Sequence, residues 1–273
     1  MTPRAALSIA GSDSGGGAGI QADLKTFAAH GVFPTTAITA VTAQNTCVVT
    51  DVLALDPELV AAQIRAVLSD LPITAAKTGM LARAGTVSTV GAMAEAGELP
   101  PLVVDPVLVT SSGHSLLDEG GVRAYRDRLL PYALVATPNL REAAVLTGRD
   151  VRQLRDEEAM AEAGNELHEL GTRFVVVKGG HLDAPSSPDV VVGPEGTTVL
   201  PARRVTTGND HGTGCSLSAA IAANLARGLG VLESVTEAKA YVHRAILGAA
   251  HWRLGAGHGP IDHFGWDVDD GEG

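Results

Sequence analysis

The chain has 273 residues, 45% of them hydrophobic and 19% charged, with 20 Lys+Arg against 31 Asp+Glu for a formal net charge of −11. That length accommodates one large α/β domain with a sizeable core, or two small domains. The acidic balance argues against a general nucleic-acid or anionic-membrane surface, while a local basic pocket for phosphate stays open.

The N-terminus, Met1 to Ser12, holds one Arg and a short apolar run, Ala5–Ala10. That run is too short for a signal-peptide core and reads as the first strand. Further strands are predicted at Thr35–Val41, Val52–Leu55, Thr74–Lys77, Leu102–Val104, Leu134–Ala136 and Phe174–Lys178. Between them lie helices. Asp56 to Leu71 reads as one, with Asp56 as N-cap, Pro57 at the first helical position and an apolar stripe of Val60, Ile64, Val67, Leu68 and Leu71. Ile20–His30, Arg141–Thr147, Asp156–Leu170, Ser216–Ala226 and Val235–Ala250 are the others. Asp189–Val192 and Thr197–Leu200, split by Gly193-Pro194-Glu195-Gly196, form a hairpin near an edge. Strands alternating with helices imply a mostly parallel sheet covered on both faces. No repeat or linker divides the chain, so residues 1–266 are read as one domain and Asp267–Gly273 as an acidic tail. No run of 18 apolar residues occurs, and two cysteines, Cys47 and Cys215, make no disulfide framework. A soluble cytoplasmic protein is expected.

Six strand ends finish on polar or Gly-rich residues: Gly11-Ser12-Asp13, Thr42-Ala43-Gln44-Asn45, Lys77-Thr78-Gly79, Asp105-Pro106, Thr137-Pro138-Asn139 and Lys178-Gly179-Gly180. In an open parallel sheet such ends line the ligand crevice. No Gly-Lys pair exists, which excludes a Walker A loop, and Gly15-Gly16-Gly17-Ala18-Gly19 does not satisfy the dinucleotide fingerprint because position 20 is Ile. The glycine run would let backbone close over a small ligand, or serve as a flexible turn.

Asn209-Asp210-His211-Gly212-Thr213-Gly214-Cys215 opens a helix. Orphan N–H donors and the positive end of the helix dipole would make an anion hole there, with Cys215 beside it. An ordinary helix start with an inert Cys is the plainer alternative. Asn139 suits a helix N-cap. Asp105 and Glu142, two carboxylates at one sheet rim, suit Mg²⁺, which prefers oxygen ligands. Lys77 and Lys178 end strands and would reach a phosphate as point charges. Lys239 lies in a helix, where a solvated face is the simpler reading. Together these features describe a Mg-nucleotide kinase without a P-loop.

The motifs resemble a known family. Gly11–Lys25, Thr39–Thr46, Lys77–Leu81, Val104–Val107, Thr137–Glu142, Val177–His181 and His211–Cys215 stand in the order found in hydroxymethylpyrimidine/phosphomethylpyrimidine kinases of thiamin biosynthesis, within the ribokinase-like superfamily. The resemblance implies a three-layer α/β sandwich and two ATP-dependent steps: 4-amino-5-hydroxymethyl-2-methylpyrimidine to its monophosphate, then to the diphosphate. It implies that Gln44 reads the aminopyrimidine edge, with Gly11, Asp23, Val41, Met80 and Val107 lining the same pocket. It places Mg²⁺ at Asp105 and Glu142, and the nucleotide at Asn139, Lys178 and Lys239. Gly212, Thr213, Gly214 and Cys215 would form the catalytic turn, with Cys215 as the general base, a thiol whose pKa a helix N-terminus lowers, or in a weaker role that orients the alcohol. Relatives are commonly dimers, so a homodimer is expected.

Departures from the family pattern are Asp210 in place of Thr, Leu108 in place of Met, and Thr110 where dual-specificity relatives carry a second Cys. Val107–His114 is the expected lid. A pyridoxal kinase is the alternative with the same chemistry. A catalytically silent pyrimidine-binding protein is the alternative that Asp210 alone favours, through repulsion of phosphate.

Overall fold

The computed structural model describes residues 2–108, 119–180, 182 and 186–266. In chain order the elements are β1 (Ala5–Ser12), α1 (Gly19–Ala29), β2 (Phe33–Gln44), β3 (Val49–Ala54), α2 (Pro57–Asp70), β4 (Ile73–Thr78), α3 (Ala84–Glu95), β5 (Leu102–Val104), α4 (Glu119–Ala124), β6 (Val135–Ala136), α5 (Leu140–Thr147), α6 (Glu157–Glu169), β7 (Phe174–Lys178), β8 (Asp189–Gly193), β9 (Gly196–Leu200), α7 (Thr213–Arg227) and α8 (Val231–Gly248). The strands form one sheet of nine in the order β3-β2-β1-β4-β5-β6-β7-β8-β9. The run from β2 to β7 is parallel. β3, β8 and β9 each pair antiparallel with the strand before them, at the two edges.

The central strands are apolar on both faces, as a sheet covered twice requires. Leu7, Ile9, Ala76, Val104, Val175 and Val177 point into one core, with Ile64 of α2, Val90 of α3, Leu146 of α5 and Leu167 of α6. Their neighbours Ala6, Ala75, Val103 and Val176 point into the other, with Phe27 of α1, Ile221 of α7 and Val242 of α8. Removing one such side chain from water contributes about 1.5–3 kcal/mol, so neither helical layer can leave without exposing the sheet. This is the three-layer α/β sandwich expected from the sequence.

The site position follows from topology. β1 has β2 on one side and β4 on the other, so the chain reverses its direction of winding there. Ligands bind at such a switch point, beyond the carboxyl ends of the strands. Gly11 and Met80 close it from both sides, through Gly11 N–H to Met80 carbonyl at 3.1 Å.

Some elements differ from the sequence reading. β2 runs on to Gln44, because β3 pairs back along it from Ala40 to Gln44. α3 was not anticipated. Its apolar residues Val87, Val90 and Met93 are interrupted by Thr86, Ser88, Thr89 and Gly91, poor helix formers that packing overrides. Gly91 sits against the Arg128 backbone, where a Cβ would collide. Asp56 precedes α2, but its side chain makes no capping bond. Thr110, His181, the lid residues beyond Leu108 and the tail Asp267–Gly273 lie outside the described residues.

Candidate active site

The glycine run packs against the start of α7. A Cβ on Gly17 would strike the His211 ring, and one on Gly212 would strike the Gly17 carbonyl. Gly212 itself has φ +85°, a conformation glycine adopts without strain. The run therefore closes on the helix start, and its glycines are needed for that close approach. Among the described residues no side chain caps α7. Its first-turn N–H groups and dipole are presented to a ligand instead.

Asp13, at the end of β1, anchors this junction. Its carboxylate accepts Gly15 N–H at 2.8 Å, Ala18 N–H at 2.8 Å and His211 Nε2–H at 3.0 Å. Burial alone would raise its pKa; the His211 bond and the two backbone bonds outweigh that and hold it below the ordinary value. Gln44 lies alongside, its amide 3.3 Å from His211 Nε2 and 3.3 Å from Thr42 Oγ1. Ser14 Oγ fixes the Gln44 backbone by donating to its carbonyl at 2.7 Å and accepting its N–H at 2.8 Å. The Asp13–His211 pair was not foreseen. An Asp two residues before a Gly N–H is a turn signal, but its partner lies 198 positions away.

The other half of the site gathers at the ends of β5, β6 and β7. Lys178 Nζ lies 2.9 Å from Asp105 Oδ1 and 3.9 Å from Glu142 Oε2. Thr137 Oγ1 also donates to Asp105, at 3.1 Å. Asn139 caps α5 in a capping box: its Oδ1 accepts the Glu142 N–H at 3.0 Å, and Glu142 Oε2 accepts the Asn139 N–H at 2.7 Å. Burial pushes the Glu142 carboxyl up to about 7, against the pull of Lys178. Burial would also lower Lys178, but Asp105 and Glu142 hold it well above its ordinary value. The anion hole adjoins this cluster. From the position of an absent Gly214 Cβ, Lys178 Nζ is 3.3 Å away and Asp105 Oδ2 is 3.8 Å away.

An oxygen-only donor set of two carboxylates with Thr137 fits Mg²⁺, which is commonly held by one or two carboxylates, retained waters and substrate phosphates. Among the described residues no group of three or more His, Cys, Asp or Glu could hold a metal ion by itself. Here both carboxylates face the Lys178 ammonium, so an incoming cation shares them with it.

Cys215 sits between the two halves. Its sulfur accepts a hydrogen bond from the Gly19 N–H, and Lys77 lies near enough to favour its thiolate. Burial nevertheless dominates and pushes the thiol up to about 11, with Asp23 and Asp105 adding to the rise. The expected lowering by the helix N-terminus is corrected: desolvation and nearby carboxylates outweigh the dipole.

Two lysine expectations also change. Lys77 does not reach toward a phosphate. Its ammonium is fully buried and bonded to both oxygens of equally buried Asp23, at 2.9 and 3.0 Å. Ser8 Oγ donates to the same carboxylate at 2.5 Å. Asp23 thus stands one layer beneath the pocket wall, with no exposed side-chain surface. Lys239 is not on a solvated face. It binds Asp189 Oδ2 at 2.7 Å and the Ser187 carbonyl at 2.9 Å. Asp189 Oδ1 in turn accepts the Gly179 N–H at 3.0 Å, so Lys239 braces the loop after Lys178. Gly11 is buried under the Met80 side chain, and Met80 and Val107 are partly exposed. Val41 is 47% exposed on β2, one strand in from the sheet edge. Asp210 turns outward to His258 Nδ1 at 2.8 Å, both side chains being more than half exposed.

Residues 13–262 match the model of the family described as phosphomethylpyrimidine kinase. The chain belongs to the phosphomethylpyrimidine kinase family. It is 50% identical over 260 residues to a hydroxymethylpyrimidine/phosphomethylpyrimidine kinase of Rhizobium meliloti, covering 95% of this chain and 96% of that one. Among solved structures, phosphomethylpyrimidine kinase from Clostridium difficile is 39% identical with a TM-score of 0.78, over 88% of this chain and 98% of that one. Pyridoxal kinase from Staphylococcus aureus in complex with AMP-PCP and pyridoxal is 34% identical with a TM-score of 0.87, over 98% and 96%. As a family member the chain is a kinase, and no helix among the described residues is long and apolar enough to cross a membrane.

Proposed function

We propose that this chain transfers phosphoryl groups from Mg-ATP to 4-amino-5-hydroxymethyl-2-methylpyrimidine, giving the monophosphate and then the diphosphate for thiamin biosynthesis. The observation that carries this reading is the meeting of the uncapped α7 N-terminus with Lys178 and Asp105 across Gly214. Charge on a transferring phosphoryl group would be matched there by N–H donors and an ammonium. In the first step the hydroxymethyl oxygen bonds to the γ-phosphorus as the bond to the ADP oxygen breaks, and the hydroxyl proton passes to an oxygen of the transferred phosphoryl group and from there to water. In the second, the acceptor is an oxygen of the monophosphate. Mg²⁺, when bound, neutralises phosphate charge; Asp105 and Glu142 are the residues to hold it, and Lys178 and Asn139 face the nucleotide. Lys239 acts through Asp189 on the same loop. Gln44 reads the pyrimidine, with Gly11, Met80 and Val107 around it and Asp23 supporting from below.

Cys215 enters as a neutral thiol, in keeping with its raised pKa. It orients the acceptor hydroxyl between Gly212–Gly214 and the pocket. A loose transition state demands little proton abstraction before the phosphoryl group moves, and an uncharged sulfur does not oppose the incoming phosphates. We further take residues 1–266 as one kinase domain, and the protein as a cytoplasmic homodimer without nucleic-acid or membrane partners. Sedimentation equilibrium at micromolar concentration tests the dimer, and a monomer mass would overturn it.

The deciding assay follows products from Mg-ATP with the pyrimidine, and with pyridoxal in parallel, for wild type and Cys215→Ala. Monophosphate followed by diphosphate, strongly reduced in the variant, is expected. Pyridoxal turnover alone would overturn the substrate. Binding of the pyrimidine without any product would overturn the enzyme reading.

A further inference from the structure

The side chains around Gln44 constrain its amide more tightly than recognition by a free glutamine would require. Asp13 receives three donors on its two oxygens, so it acts as an acceptor and His211 Nε2 must carry the proton between them. A protonated Nε2 has no in-plane lone pair left, so an –NH₂ end 3.3 Å away would find no acceptor there, whereas a carbonyl end can share the N–H bonded to Asp13. On the other side, Thr42 Oγ1 gives its single proton to the Ser12 carbonyl at 2.8 Å. Toward Gln44 Oε1, 3.3 Å away, that same proton could give only a longer, shared bond, whereas the free lone pairs of the hydroxyl suit an N–H there. The structure sets Nε2 3.3 Å from His211 Nε2 and Oε1 3.3 Å from Thr42 Oγ1; we assign the two amide ends the other way round, Oε1 toward His211 and –NH₂ toward Thr42, because both neighbours favour it. The opposite setting, Nε2 against His211 and Oε1 against Thr42, puts donor on donor at one end and leaves only the shared bond at the other.

We propose that His211, held by Asp13, and Thr42 lock the Gln44 amide in one orientation and are thereby specificity-determining positioning residues. The inference rests on the reading of Gln44 as the residue that meets the pyrimidine. A glutamine free to turn half a revolution reads an amino-pyrimidine edge and an oxo-pyrimidine edge equally, because turning swaps its donor and acceptor. A locked glutamine offers one remaining carbonyl lone pair and one remaining N–H in fixed places. That donor–acceptor pair matches a ring nitrogen beside an exocyclic amine, as in amide recognition of adenine. The 4-oxo ring, with N–H beside C=O, presents the reverse pattern and leaves polar groups mismatched.

The test is calorimetric binding of 4-amino-5-hydroxymethyl-2-methylpyrimidine and of its 4-oxo counterpart, without nucleotide, to wild type, His211→Leu, Thr42→Val and Gln44→Ala. Wild type is expected to prefer the amino ring by on the order of 30-fold, the scale of one mismatched buried pair. His211→Leu and Thr42→Val should each bring the ratio below about 10-fold by partly freeing the amide. The ratio is the informative quantity, since a purely structural loss weakens both ligands alike. Thr42→Val, nearly isosteric, keeps the test open if His211→Leu fails to fold. An unchanged ratio in both variants, with the preference lost in Gln44→Ala, overturns the lock alone. Retention of the preference in Gln44→Ala overturns the reading of Gln44 and the lock with it, as does a wild type that binds both rings equally.

Discussion

Replacing Lys77 by Met distinguishes a buried structural ion pair from a phosphate ligand. Lys77 and Asp23 are both without exposed side-chain surface, and the ammonium touches both carboxylate oxygens within 3.0 Å. Burial alone would lower the Lys77 pKa, but Asp23 together with Cys215 and Asp105 holds it above its ordinary value, so the lysine is charged. Met fills a similar volume but leaves the Asp23 carboxylate, among the described residues, with Ser8 as its one side-chain donor. Removing one partner of such a pair costs about 3–5 kcal/mol. At about 2–4 °C per kcal/mol for a chain of this size, Tm should fall by roughly 6–20 °C. Lys77→Met with Asp23→Leu should recover much of the lost stability, because an apolar pair replaces a buried ionic one at little net cost. Urea unfolding at pH 7 with the product assay gives both readouts. A Lys77→Met loss below about 1 kcal/mol, accompanied by a large rise in KM for ATP, would refute the buried-pair reasoning and return Lys77 to the phosphates.

The raised Cys215 pKa makes alkylation slow. With a value of about 11, roughly one thiol in a thousand is ionised at pH 8, so iodoacetamide labelling of Cys215 should climb about tenfold per pH unit from 7 to 10. A plateau near pH 7.5, read by peptide mass spectrometry to separate it from exposed Cys47, would contradict the burial argument. Glu142 is an acid whose folded value is raised from 4.5 to about 7. Its contribution is therefore full below pH 4.5 and lost as pH rises through 7. Glu142→Gln, which keeps an acceptor for Asn139 N–H, should gain on wild type by about 3 kcal/mol across that window; parallel stability–pH curves would count against it. Asp210→Thr should alter kcat/KM by less than about twofold, because exposed ion pairs contribute little. A change beyond tenfold would place Asp210 at the anion hole after all.

The sequence alone determined the layering and the rim of the site. Apolar runs without alternation in Ala5–Ala10, Leu102–Val104 and Phe174–Lys178 demanded a sheet buried on both faces, and their polar ends marked where ligands go. Asn139 as a cap, Glu142 beside it and the glycine-rich start of α7 were legible for the same reason: caps, turns and helix starts are local chemistry, written within a few residues. Only tertiary structure decided what the charged groups do. Lys77 and Lys178 both end strands, yet one side chain is sealed against Asp23 beneath the pocket and the other opens on Asp105 at its rim. His211 finds Asp13 and Gln44 across 198 and 167 positions. Cys215 lies at a helix start that would favour a thiolate, but partial desolvation and the nearby Asp23 and Asp105 carboxylates disfavour one. The weakly patterned α3 became a helix because its face was needed against the core. Partner choice, burial and proton affinity depend on distances through space, and spacing along the chain does not encode them.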